Sequence, residues 1–484
     1  MNERHRISRA TSVLASGRAP GLLIAFAIPI VLARTFDQTE FGTYKQLFLI
    51  YSTLFGLAQL GMAESLYYFV PRGDSQAGRY VANAMVLLAS IGLTAVALLA
   101  AFREHLADWL TNPALSLHAV LLGWFLAGML VSAVLEIVLI SRKQHGHAAL
   151  TYAASDIGRA LCLTVPALLA WGLHGVMAGA VTFATVRVAV TLITIRRQFR
   201  SELRVDVGSL RRQLAYALPF AVAVGIEILH INWHQYAVAS RFDAAAFAIY
   251  AVGCLQVPVV DLIVTSTVNV MMVEMAADGD RRSARSLWHD TIGRLAFMIF
   301  PLAVFLVLMA HEIIVVLFTS AYEASVPVFM LWSLTMLASV LVVDGVLRVF
   351  AQTRYLVVQN ALHLLIVAGL AGVFMRFFGI QGAVLVTLFA TLVVKSAAIV
   401  RISRLMGVRL ADALPWTRLI TAAACAVIAA MPALILVKGV TPHPVVALLM
   451  AAPLYGFSYA ALYYAFGRHA QPALLSSAAT TTTT

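Results

Sequence analysis

Long apolar runs separated by short polar connections make up most of this chain. The hydrocarbon core of a bilayer is roughly 30 Å thick, and an apolar run of about 20 residues crosses it as a helix. About 14 such runs can be marked: 12–33, 42–70, 80–102, 115–140, 148–171, 175–195, 214–239, 246–275, 291–310, 323–347, 355–375, 381–400, 417–437 and 444–466. No connection is long enough for a soluble domain. The pattern predicts an all-α integral membrane protein.

The pattern also repeats. Phe36, Asp37, Phe41 and Tyr44 recur about 206 positions later as Phe242, Asp243, Phe247 and Tyr250. Gly172 and Gly175 before the sixth run correspond to Gly379 and Gly382 before the twelfth. A repeat of six spans is even, so both copies keep one orientation and would be related by an axis along the membrane normal. The expected organisation is a six-helix lobe over 1–195, an Arg-rich cytoplasmic linker at 196–213, a second six-helix lobe over 214–402, two additional transmembrane helices within 403–470, and a disordered tail at 471–484.

Composition agrees: 61% of the 484 residues are hydrophobic and 12% charged, with a mean hydropathy of +0.89. The net charge of +12 would suit nucleic acid in a soluble protein. Here it has another source, because Lys and Arg gather in alternate loops, leaving Arg34, Arg103, Arg241, Arg376 and Lys438 on the opposite side. That asymmetry places both termini in the cytoplasm and excludes nucleic acid as the expected partner. The repeat makes the first run, after Arg4, Arg6 and Arg9, a transmembrane helix rather than a cleaved signal. Cys162, Cys254 and Cys425 lie within spans without metal-ligand spacing, and no metal or cofactor is expected. The chain has neither a nucleotide-binding P-loop nor a zinc-protease pattern, and no large external loop to house acid and base residues; it is not expected to be an enzyme.

Polar residues inside the runs are the candidate chemistry, since a charge at the bilayer centre costs about 2.5–3.5 kcal/mol on insertion scales. Arg18 and Glu64 come to similar depth, as a neutralised structural pair or as a phosphate-binding arginine held by a carboxylate. Asp156 and Arg159 share a helical face, and Arg187 sits at similar depth; two arginines against one carboxylate leave one guanidinium for an anionic ligand. Glu227, His230 and His234 form a stripe, with Asp261 at comparable depth, suited to a proton or cation site or to polar packing. Trp233 and Tyr236 are suitable neighbours for sugar hydroxyls. Asp344 and Arg348, four apart, are expected to pair, and Lys45 and Lys395 to snorkel to an interface. Pro20, Pro29, Pro219 and Pro258 mark bending points.

The stretch VLARTFDQTEFGTYKQLFLIYSTLFGLAQLGMAESLYYFVPR, with Arg34, Phe41, Gly42, Tyr44, Leu60, Gly61 and Arg72, resembles the start of Wzx-type oligosaccharide flippases. These belong to the multidrug/oligosaccharidyl-lipid/polysaccharide exporter superfamily. The segment from His311 to Leu337 is similar to that family's ninth-to-tenth helix connection, and the likeness spans about residues 10–405. It implies two lobes around a central cavity, alternating access, and a cationic cavity for the diphosphate of a polyprenyl-linked oligosaccharide in a bacterial inner membrane. Polysaccharide polymerase and glycosyltransferases would be neighbouring partners. Arg18, Arg159 and Arg187 are the nominated contacts, while the carboxylates Glu64, Asp156, Glu227 and Asp261 argue against a purely cationic cavity. The alternatives are a cation-coupled drug or metabolite exporter of the same architecture and a non-transporting scaffold of polysaccharide assembly.

Overall fold

A computed structural model describes residue 21 and residues 24–72, 76–199, 202–278, 280–440 and 443–467. Among them the regular structure is helical throughout. The first half runs α1 Ile24–Thr35, α2 Gln38–Ala58, α3 Met62–Arg72, α4 Ala77–Ala101, α5 Arg103–Trp109, α6 Ala114–Ser132, α7 Val134–Ser141, α8 His145–Leu168, α9 Gly172–Phe199, α10 Val207–Ala239 and α11 Ala244–Gly253. It continues with α12 Pro258–Asp278, α13 Arg281–Leu308, α14 Ala310–Phe318, α15 Val326–Thr335, α16 Val343–Val349, α17 Thr353–Phe378, α18 Gln381–Met406, α19 Trp416–Val440 and α20 Pro444–Gly467.

Twelve helical segments among the described residues are long and apolar enough to cross a membrane. The first expected span lies partly outside the described residues. The fifth is α8, whose 24 residues suffice to cross at about 1.5 Å per residue, but Asp156, Arg159 and two histidines make it too polar to count with the twelve. Several spans are broken. The second turns at Leu60 and Gly61, both with positive φ, and the eighth stops at Gly253 and resumes at Pro258, since proline fits the first turn of a helix better than its interior.

Equivalent positions of the repeat do equivalent work. Asp37 accepts the Glu40 amide at 2.7 Å and caps α2; Asp243 accepts the Ala246 amide at 2.8 Å and caps α11. Side-chain capping of this kind satisfies amides that have no partner inside the helix. Gly172 and Gly379 both take positive φ, +63° and +58°, a conformation that glycine adopts at no steric cost.

The chain divides into two compact units, 1–251 and 252–484. In the first, Met62, Val81, Leu88, Leu126 and Leu130 form a fully buried core; in the second, Trp288, Ile292, Val343, Val346 and Ala426 do so. Helix α10, which opens the second copy in sequence, packs on α2, α3 and α4 of the first unit. Repeat and compact unit therefore have different boundaries, because one is set by sequence likeness and the other by contact. The start of α10 is fastened by Asn83, whose side chain exchanges two 3.0 Å hydrogen bonds with the Asp206 backbone. Asp206 in turn caps the helix through the Ser209 amide, and its hydrogen bonds with Ser209 hold its carboxyl below the usual carboxylate range.

Helix α2 crosses the start of α11 at Gly42, where a Cβ would collide with the Ala244 backbone. Gly42→Leu is therefore expected to lower thermal stability by an overpacking cost of about 1–3 kcal/mol. Gly146→Ala, at a position with nothing within 4 Å, should leave it unchanged. Thermal unfolding of the detergent-solubilised variants checks both.

Candidate functional site

Four helices of the first unit converge on Arg187. From α9 its guanidinium donates to Ser132 of α6 at 3.1 Å, to Ser155 of α8 at 2.5 Å and to Glu136 of α7 at 2.8 Å. The ion pair is nearly enclosed, with side-chain exposures of 12% for Arg187 and 4% for Glu136. One turn along α8 from Ser155, Arg159 pairs with Asp156 at 3.1 Å, and both are more accessible, at 33% and 24%. Gly21 lies directly against the Asp156 carboxyl.

This geometry corrects the charge count expected from sequence. Glu136 supplies the second carboxylate, so the cluster holds two arginines and two acids, and Arg187 has no surplus charge to offer. A buried, fully hydrogen-bonded Arg187 ties helices together. Arg159 differs: it is a third exposed, and its Nε is buried without a hydrogen bond. The sequence reading missed Glu136. A lone carboxylate inside an apolar run demands a partner, and that signal was available.

Glu64 on α3 is half-buried, and one of its oxygens is enclosed without a hydrogen-bond partner. Its expected partner, Arg18, lies outside the described residues.

The stripe on α10 does not stay on one surface. Glu227 is exposed, His230 half-buried and His234 buried, where its Nδ1 lies 2.7 Å from the Tyr250 hydroxyl of α11. Tyr236, a candidate sugar contact, instead stacks on Trp109 at 5.6 Å and donates to the Leu49 carbonyl at 3.4 Å. Trp233 is half-buried. Asp261 is exposed on the first turn of α12.

Along its length α10 runs antiparallel to α2 and α3. Gln213 donates to Ser65 of α3 at 2.8 Å and Asn232 to Thr53 of α2 at 3.1 Å. Between them Gly56 and Gly61 lie close against Ile228 and Ala217, where an added Cβ would be crowded. Small residues allow this close approach, and interhelical hydrogen bonds hold it.

In the second unit the expected Asp344–Arg348 pair does not form. Asp344 accepts from Gln359 of α17 at 2.8 Å. Arg348 and Lys395 line an open cavity with it.

A family model described as "Polysaccharide biosynthesis protein" matches residues 31–327. No curated protein sequence matches the chain. Among solved structures it is similar to the lipid II flippase MurJ in an inward closed conformation. That match has a TM-score of 0.73 and 13% identity, and covers 94% of this chain and 99% of that one. A MOP superfamily transporter from Pyrococcus furiosus follows at TM-score 0.56 and 14% identity, covering 83% and 95%. An outward-facing multidrug resistance MATE family transporter of the same superfamily gives 0.55 and 12%, covering 83% and 94%. At these identities the likeness is one of fold.

Removing one partner of the enclosed pair leaves an uncompensated charge, so Glu136→Leu is expected to destabilise by roughly 3–5 kcal/mol. Adding Arg187→Met should recover most of that loss. Asp156→Asn, in a more exposed pair, should cost far less. A double-mutant cycle read by thermal unfolding in detergent checks the ordering.

Proposed function

The chain belongs to the polysaccharide biosynthesis protein family, and on that premise we propose that it is a flippase for a polyprenyl-diphosphate-linked oligosaccharide repeat unit. It moves the head group from the cytoplasmic to the periplasmic leaflet of a bacterial inner membrane, by alternating access, while the lipid tail stays in the bilayer. The two six-helix copies, 1–195 and 214–402, act as its lobes, and both termini face the cytoplasm. The family match is the observation that carries this reading. The fold likeness to a lipid II flippase supports it, because that likeness extends over more of the chain than the likeness to multidrug transporters.

The residues fit the work in distinct ways. Arg159, accessible and poised by Asp156, is suited to a diphosphate oxygen, which a planar guanidinium binds through two parallel hydrogen bonds. Arg187 holds α6, α7, α8 and α9 in register around it. The α2–α10 seam, closed by small residues and single hydrogen bonds, is the part of the first unit that can open. Polysaccharide polymerase and glycosyltransferases are the expected partners that consume and supply the cargo.

Reconstituted protein should accelerate exchange of a fluorescent polyprenyl-diphosphate sugar between leaflets over empty vesicles. Arg159→Ala should slow it at least tenfold while leaving thermal stability near the parent's. No acceleration removes the flippase reading, and if the protein instead moves cationic drugs against a proton or sodium gradient, the exporter reading replaces it.

A further inference from the structure

Where α3 ends and α10 begins, four aromatic rings from three helices are built into one body. Phe69 of α3 stacks on Tyr80 of α4 at 4.5 Å, with 24° between the planes. Tyr216 of α10 meets Phe69 edge-on at 5.5 Å and stacks on Tyr68 of α3 at 4.8 Å and 23°. Stacked and edge-on contacts are the arrangements that aromatic rings prefer. Arg72, one turn beyond Tyr68, lays its guanidinium over that ring at 4.0 Å and donates to the Tyr68 carbonyl at 3.3 Å. The start of α10 is itself held to α4 through Asn83 and Asp206. The rings are therefore in position before any ligand arrives.

The inner and outer rings of this body differ. Tyr80 is 6% exposed, whereas Tyr68 is 39% and Tyr216 51% exposed. Tyr68 and Tyr216 thus form an outward platform on a buried base. Both outward rings carry a hydroxyl, which a surface made only for acyl chains does not need. A tyrosine that merely anchors a helix at head-group level needs no stacked partner from a second helix. A flat apolar surface with hydroxyls and a guanidinium at its edge suits a sugar ring, whose C–H face packs on an aromatic ring while its own hydroxyls find polar partners beside it.

We propose that Tyr68 and Tyr216, held by Arg72, stack on a sugar ring of the head group and so select cargo by its saccharide rather than by its diphosphate. That the sugar belongs to cargo rests on the flippase reading, which assigns this end of α3 and α10 to the cytoplasmic face, where cargo enters. The platform is built on α3, α4 and α10, none of which carries Arg159 or its partners.

The test is native mass spectrometry of the detergent-solubilised full chain, titrated with polyprenyl-diphosphate glucose and with the same polyprenyl diphosphate lacking sugar. The parent should bind the sugar-bearing lipid about fivefold more tightly, the scale of one aromatic contact. Tyr68→Leu and Tyr216→Leu keep apolar bulk but lose the ring; each should erase that preference and leave affinity for the sugarless lipid unchanged. Tyr216→Trp, which keeps a stacking face, should retain the preference. Thermal unfolding of each variant separates loss of the platform from loss of the fold. No preference in the parent, a preference that both folded Leu variants keep, or an equal loss for both lipids, as a bilayer anchor would give, overturns the proposal. Leaflet exchange by a parent without sugar preference removes the platform and keeps the flippase, whereas sugar preference without exchange keeps the platform and removes the flippase.

Discussion

A polar group within a bilayer must find its partner inside the protein, since lipid offers none, and the strength of that partnership decides which parts of the molecule are rigid. The enclosed Arg187–Glu136 pair, with Ser132 and Ser155 on the same guanidinium, is the costly kind. Separating it would expose two charges, at roughly 3–5 kcal/mol for the loss of either partner. Interhelical hydrogen bonds between neutral side chains in membranes average only about 0.6 kcal/mol. The seam of α10 with α2 and α3, held by Ser65–Gln213 and Thr53–Asn232, is of this weaker kind.

The breaks in the spans follow the same logic. At Val342 the backbone leaves the helix, and a carbonyl beside the break finds a side-chain donor. The Leu341 carbonyl meets the Trp288 indole.

Much of the fold was legible because the bilayer imposes its own period. Run length located the spans, and residues that recur in the sequence, Asp37 with Asp243 and Gly172 with Gly379, turn out to serve alike. Pairing was legible only where sequence spacing decides it, as for Asp156 and Arg159 on one helical face. Arg187 and Glu136 are 51 positions apart, and no spacing rule brings them together. The rule also misled at Asp344 and Arg348, where Gln359 from α17 outcompetes the neighbour one turn away. The stripe of Glu227, His230 and His234 was correct as a periodicity, but its burial grades from exposed to enclosed as α10 meets α11, so His234 became a core residue bonded to Tyr250. Boundaries of compact units were the least legible feature, because α10 belongs to the second copy by descent of pattern and to the first unit by contact.

On the proposed flippase reading α10 leaves α2 during transport, and a reversible lock across that seam tests the reading most directly. Cysteines replacing Thr53 and Asn232, whose side chains now meet at 3.1 Å, should form a disulfide on oxidation. Leaflet exchange of the fluorescent lipid-linked sugar by the locked protein in vesicles should fall to the level of empty vesicles and return on reduction. Exchange at the parental rate with the disulfide intact would contradict the account.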